Sequence, residues 1–357
     1  MALDVAPSNQ SAKANALQWR ECLRTLEAKV QQNGSEAREL LESISAWDGI
    51  SGEEKAGGKS IAVFRSPDVF CVTWLEKPVK SKAVLGKHFY VRPFLPELTR
   101  DNSFYILALS QNDVRVLRCT SSSSEEIPLP ASVAKSFHAF TNSVKPDHVT
   151  DNRSSPGPGS GSSKGVMFST STDKEDKDEN LAHFYKQIDR GLIEILRGKT
   201  EPVVPVGVEY ELALYRSLNT YPRLVEGVQG APNSLRAGEM HARALDAMLQ
   251  QYDKKVDDAL AEYNHKVGGG ASNRLKDIVP AAHDGRVLTL LVSDSLETTG
   301  SFDETTHTVK GRETGTLEDE DLVNDAVVQT VLHAGQVFVV PNGKMPNGTP
   351  LSAIFRF

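Results

Sequence analysis

The sequence predicts a mixed α/β protein of several domains. Three observations lead there. The chain has 357 residues, enough for two or three units that each bury a core. Apolar residues at helical spacing alternate with short β-rich runs along most of its length. A stretch rich in Gly, Ser and Pro, residues 141–165, interrupts that alternation and reads as a flexible loop.

The elements follow in order. Trp19, Cys22, Leu23, Leu26 and Val30 share one helical face, as do Ala37, Leu40, Leu41 and Ile44, with Asn33-Gly34 between them. "SIAVFRSPDVFCVTWL" (60–75) predicts two strands around a Ser-Pro-Asp turn. "HFYVRPFLP" (88–96) predicts an extended stretch, because its prolines break a helix. A new unit begins near Asn102, where "FYILAL" and "VRVLR" read as strands joined by a tight Asn-Asp turn. Leu181, Phe184, Tyr185, Ile188, Leu192, Ile195 and Leu196 form the stripe of a helix that stops at Arg197-Gly198. Acids at 173–179 oppose the positive end of its dipole.

The strand "PVVPVGV", the helix "EYELALYRSL" and an ordered loop over 219–233 come next. A long helix over 238–265 ends at "GGG" (268–270). The remainder reads as helix (272–283), strand (287–292), acidic loop, helix (317–333), the strand "VFVV" and the last strand "LSAIFRF". This alternation predicts an α/β sandwich.

Composition limits the function. Hydrophobic content of 39% and charge of 24% are ordinary for a soluble protein. No apolar run approaches bilayer length, and the N-terminus lacks the order of a secretory signal. Cys22, Cys71 and Cys119 are scattered and odd in number, so neither a disulfide framework nor a zinc knuckle is expected. A reducing cytoplasm is the simplest location. The net charge of −7 argues against non-specific binding to naked nucleic acid, DNA included. Residues 76–118 are locally basic, with Lys77, Lys80, Lys82, Lys87, Arg92, Arg100, Arg115 and Arg118 against four acids. That surplus could touch RNA, but taken alone a solvated surface is the simpler and preferred reading.

The known catalytic motifs fail. "GEEKAGGKS" (52–60) ends like a phosphate-binding loop, but Glu53 stands where glycine is needed and a strand follows where a helix is needed. The histidines show no metal-ligand spacing, and Gly-x-Ser-x-Gly is absent. "HAGQ" (333–336) has a Gly-Gln pair that could orient water, but its place between helix and strand suits a turn. No cofactor or metal is expected.

Four stretches resemble the bacterial archaeo-eukaryotic release-factor family: "HFYVRPFLPELTRDNSFYILALSQNDVRVLR" (88–118), "HFYKQIDRGLIEILRG" (183–198), "VGVEYELALYRSLNTYP" (206–222) and "VLHAGQVFVVPNGKMPNGTPLSAIFRF" (331–357). This family is related to the archaeal and eukaryotic peptide-release factor, to Pelota and to the hibernation factor Balon. The resemblance implies three domains: an N-terminal α/β domain (1–99), an RNase-H-like middle domain (100–240) with a flexible loop at 141–180, and a C-terminal α/β/α domain (241–357) similar to the kink-turn RNA-binding ribosomal-protein fold. The family's first strand is expected to be missing, with the chain starting just before its first helix.

In true release factors the middle-domain loop carries Gly-Gly-Gln, whose glutamine positions the water that attacks the peptidyl-tRNA ester. The matching loop here holds Ser169, Thr170, Ser171 and Thr172 and then acid, and Gly-Gly-Gln occurs nowhere. Residues 173–179 carry five acids and two lysines, a net −3 that ribosomal RNA phosphates repel. The resemblance therefore implies a binding protein with no catalytic residue, seated in the ribosomal A site during hibernation, stalling surveillance or rescue. Its expected contacts are Arg153, Lys164 and Ser169–Thr172, with Lys77, Lys80, Lys82, Lys87, Arg92, Arg115 and Arg118. A translational GTPase is a possible partner; a membrane is not. Two alternatives stand: a peptidyl-tRNA or RNA hydrolase using a divergent loop, although turn hydroxyls are more often caps than nucleophiles, and an adaptor whose acidic loops bind a protein outside the ribosome.

Overall fold

The computed structural model describes residues 2–4, 11–30, 35–47, 60–75, 78–99, 103–143, 171–311 and 320–357. The chain divides into two compact units, one formed by Met1–Arg100 with Tyr252–Phe357, the other by Asp101–Gln251. The architecture is mixed α/β with several sheets. Among the described residues, no helix is long and apolar enough to cross a membrane.

The first unit opens with β1 (Ala2–Asp4), α1 (Ser11–Val30), α2 (Ser35–Ser45), β2 (Ser60–Arg65) and β3 (Phe70–Leu75). The expectation that the chain starts just before its first helix is corrected: β1 pairs antiparallel with β2, Leu3 opposite Ile61. Period-2 alternation sorts β2. Ile61 and Val63 face Trp19, Cys22 and Ile44 of the helices, while Ala62 and Phe64 pack with Leu75 and Phe94 on the other face. The stretch expected to be extended instead closes in a 3-10 turn, Arg92–Phe94, and α3 (Leu95–Leu98). Pro93 and Pro96 sit in the first turn of each, where a missing N–H costs nothing.

The second unit contains β4 (Ser103–Ala108), β5 (Arg115–Thr120), β6 (Ser124–Ile127), α4 (Phe137–Ser143), α5 (Ser171–Ile195), β7 (Val203–Gly207), α6 (Glu209–Leu218), β8 (Val228–Gln229) and the start of α7 (Ala237–Lys266). The sheet order is β6-β5-β4-β7-β8, with β4, β7 and β8 parallel. The β4 run is apolar on both faces because both are covered. Tyr105 and Leu107 meet Phe184, Tyr185 and Ile188 of α5, and Phe104 and Ile106 meet Met240 and Ala244 of α7. The β4–β5 connection spans residues 109–114 and is not a tight Asn-Asp turn, since the last strand pair is Ala108 with Arg115. Helix α5 starts at Ser171, so residues 171–180 of the expected loop are helical. It ends as the sequence predicts, with Gly198 in the left-handed region at φ +74.

The first unit resumes with the end of α7, then β9 (Ala271–Ser272), α8 (Leu275–His283), β10 (Val287–Ser293), β11 (Thr299–Asp303), β12 (Thr308–Gly311), β13 (Glu320–Asp321), α9 (Leu322–Leu332), β14 (Gln336–Val340) and β15 (Leu351–Phe355). A sheet of order β14-β10-β15-β9 carries α8 and α9 on one face and Tyr252, Val256 and Tyr263 of α7 on the other. This is the expected α/β sandwich. The acidic loop before α9 instead contains a second sheet, β12-β11-β13.

Within this unit, residues 82–92 are stitched onto the α9 end by polar contacts. The Arg92 side chain, 6% exposed, donates to Asp321 at 2.8 Å and to the carbonyls of Ser293 and Leu296 at 3.2 and 2.6 Å. Asp321 also caps α9 through the Val323 amide. Asn324 accepts from Val91 N–H and donates to the Phe89 carbonyl. Glu297 accepts from Lys82 and Tyr90, both at 2.7 Å. Burial alone would raise the Glu297 carboxyl, but these bonds hold it below its ordinary value.

Arg92→Ala leaves the Asp321 side chain, only 10% exposed, without its cation and is expected to cost about 3 kcal/mol in urea unfolding followed by tryptophan fluorescence. Arg92→Lys should recover only part of this, because an ammonium cannot reach the carboxylate and both carbonyls together.

Candidate functional site

Three parallel strands of the second unit, β4, β7 and β8, end on the same side of their sheet. Open α/β sheets hold ligands outside such carboxyl ends. Gly207 ends β7, and a Cβ there would lie 3.3 Å from both Cβ and O of Leu109, so glycine lets the strand ends close up. After β4, buried Ser110 accepts from the Asn233 side chain at 2.8 Å and from Asn112 N–H at 3.2 Å. Gln111 donates Nε2 to Glu211 Oε1 at 3.2 Å.

Glu211 lies in the first turn of α6, where its charge opposes the helix dipole, yet it is buried. Burial raises its carboxyl above the ordinary value; contacts with Gln111 and Tyr185 offset this only in part. The Tyr185 phenol is pushed up in turn, by burial and then by the Glu211 charge. Deeper in the core, Asp189 accepts from Tyr215 at 3.0 Å and from the Thr220 hydroxyl and amide at 2.6 and 3.2 Å. That carboxylate is a structural tie between α5, α6 and the following loop. Glu211 is thus a buried carboxyl at a strand end, held by the Gln111 side chain. Among the described residues no His, Cys, Asp and Glu cluster could hold a metal.

The loop expected to contact RNA enters from α4 and leaves into α5. Phe137 and Phe140 of α4 pack on Phe184 of α5, with centroids 5.9 and 5.7 Å apart. Near the start of α5, Asp178 accepts from the Tyr210 hydroxyl at 3.0 Å, next to Glu211 in sequence. The exit of the loop is thus tied to the strand-end site. Arg153, Lys164, Ser169 and Thr170 lie outside the described residues; Ser171 and Thr172 are the first residues of α5.

The basic residues divide between the units. Lys77 lies outside the described residues, and Lys80 and Lys87 are exposed in the first unit. Lys82 pairs with Glu297 and sits 4.3 Å from the Tyr90 ring centroid, and Arg92 is buried against Asp321. In the second unit, Arg115 donates to the Pro232 carbonyl at 3.0 Å, while Arg118 of β5 is exposed and opposite Glu125. "HAGQ" is a turn: His333 Nδ1 lies 2.8 Å from the Gln329 carbonyl, Ala334 has φ +55 and Gln336 opens β14. The phosphate-loop-like "GEEKAGGKS" lies outside the described residues up to Ser60. Sequence reasoning missed Ser110, Gln111, Tyr185, Glu211 and Asn233. The one available signal was "VGVEYE", an acid-rich helix start directly after a glycine-ended strand.

The sign of the Glu211 shift gives a test. A carboxyl raised on folding carries no ionisation cost below its ordinary value of 4.5, and the cost grows as pH climbs through the raised folded value. Glu211→Gln is expected to melt above the parent at neutral pH, with the two melting temperatures converging as pH falls to 4.5. A gap constant across pH would rule out charge burial as its cause.

Residues 103–286, just over half of the chain, match the model of bacterial archaeo-eukaryotic release factor family 3. No curated protein matches the chain. Among solved structures it is similar to Saccharomyces cerevisiae Dom34, a translation termination-like factor that interacts with Hbs1, at 14% identity and TM-score 0.38 over 72% of this chain and 63% of that one, less than two thirds of the yeast protein's length. It is similar to archaeal Pelota from a ribosome-bound model with ABCE1, at 14% identity and TM-score 0.43 over 85% and 79% of the two chains. It is also similar to Archaeoglobus fulgidus Pelota, at 11% identity and TM-score 0.34 over 82% and 77%. By the extent of the family match, the chain belongs to bacterial archaeo-eukaryotic release factor family 3.

Proposed function

We propose that this chain is a cytoplasmic ribosome-binding factor that occupies the A site in hibernation, stalling surveillance or rescue and does not hydrolyse peptidyl-tRNA. The observation that carries this reading is membership of a release-factor family by a sequence without Gly-Gly-Gln. Release needs an amide that orients water against an ester the ribosome already holds. The corresponding segment supplies Ser169, Thr170, Ser171, Thr172 and then acid, which offers hydroxyls and carboxylates but not the amide that orients the water.

In this reading the chain has three domains, divided near 99 and 240, and a translational GTPase can deliver it. Arg153 and Lys164 of the loop, with exposed Lys80, Lys87 and Arg118, meet RNA phosphate. Lys82 and Arg92 are engaged by acids and contribute little.

The test is co-sedimentation with purified ribosomes at low and moderate salt, with A-site tRNA as competitor. The protein is expected to pellet, to be displaced by the tRNA, and to bind more weakly as salt rises. Each of Lys80→Glu, Lys87→Glu and Arg118→Glu should lower the slope of affinity against salt by about 1 if that residue meets a phosphate. A protein that stays in the supernatant under all these conditions overturns the proposal.

A further inference from the structure

β3 is the outer strand of its sheet, whose order is β1-β2-β3. The turn fixes its hydrogen-bond phase. Ser66 and Val69 exchange N–H···O bonds in both directions, at 2.8 and 3.3 Å. Antiparallel pairs alternate between bonded and non-bonded, so Cys71, Thr73 and Leu75 direct their backbone groups to Phe64, Ala62 and Ser60 of β2. Phe70, Val72 and Trp74 direct theirs away from the sheet. Among the described residues none of these outward N–H and C=O groups has a hydrogen-bond partner.

This edge lacks the usual protection. Exposed edges are normally blunted by charge, proline or a bulge. Val69–Leu75 contains neither charge nor proline, and its register with β2 runs from Arg65/Phe70 to Ser60/Leu75 without a shift. Val69 and Phe70 are 40% and 43% exposed, and Cys71 is exposed beside them.

We infer that β3 pairs antiparallel with β3 of a second copy of this chain across a two-fold axis at Val72. Three features favour this occupant. The edge is uncharged, so identical edges meet without repulsion. A two-fold centred on Val72 places outward-facing residues opposite one another: Val72 against Val72 of the partner subunit, and Phe70 against Trp74 of the partner subunit. Every outward donor then meets an acceptor, whereas a one-residue slip opposes outward to inward groups and a two-residue slip strands some of them. Phe70, Val72 and Trp74 also share the face that carries Trp19 and Trp47, so pairing continues one apolar layer across both copies. On the other face, Cys71 lies opposite Thr73 of the partner subunit in the close, non-bonded type of pair, with Cα atoms about 4.5 Å apart.

Light scattering and sedimentation of the full chain test this. The expected mass is twice 39.0 kDa. Phe70→Lys adds a charge at an exposed position, and Val72→Pro removes an outward N–H that β2 does not use. Each is expected to raise the dimer dissociation constant about tenfold or more, with far-UV circular dichroism unchanged. Thr73→Cys should form an interchain disulfide with Cys71 under mild oxidant, within reach of the required geometry. A mass of 39.0 kDa at every concentration, a dimer indifferent to Phe70→Lys, or a Thr73→Cys dimer that never cross-links would each overturn the inference.

Discussion

The constraint on which the second unit depends is that β4 must be buried on both faces. Phe104–Leu109 is apolar at every position, so neither face can be left to water. Helix α5 covers one side and the start of α7 the other. With the sheet clad in this way, β4, β7 and β8 run parallel and deliver their carboxyl ends to one place. Ser110, Gln111, Glu211 and Asn233 then meet there through the chain's topology rather than their nearness in sequence.

The same constraint fixes the two helices on either side of residues 144–170. Helix α5 is held by its apolar stripe, and α4 is held by two phenylalanines against Phe184. The segment between them therefore starts and ends at set points of the unit. The Tyr210–Asp178 bond adds a polar tie at its exit. The proposed function places the segment that corresponds to the release loop between these two helices, with hydroxyls and acids in place of Gly-Gly-Gln.

Much of the fold was legible in the sequence because the apolar patterns are strong. The helix stripe from Leu181 to Leu196 and the paired strands of 60–75 fall where the periodicity puts them. The failures have local causes. The β11–β12 hairpin is polar and carries little apolar alternation, so it read as an acidic loop. Pro93 and Pro96 read as helix breakers, although a first-turn proline starts a helix as readily as it ends one. The short strand β1 has too few residues to show a pattern. The candidate site was less legible. Lys82 and Arg92 counted as a basic surface because their partners, Glu297 and Asp321, lie more than 200 residues away in sequence. Glu211 looked like an ordinary helix-start acid, and only burial made it unusual.

On the proposed function, a release-factor-family chain without its water-orienting amide binds the ribosome but leaves the ester intact. The most direct measurement is single-turnover release of labelled peptide from peptidyl-tRNA on ribosomes carrying this protein. The expected rate equals that of ribosomes alone. Release above that background, abolished by replacing residues 169–173 with alanine, would contradict it.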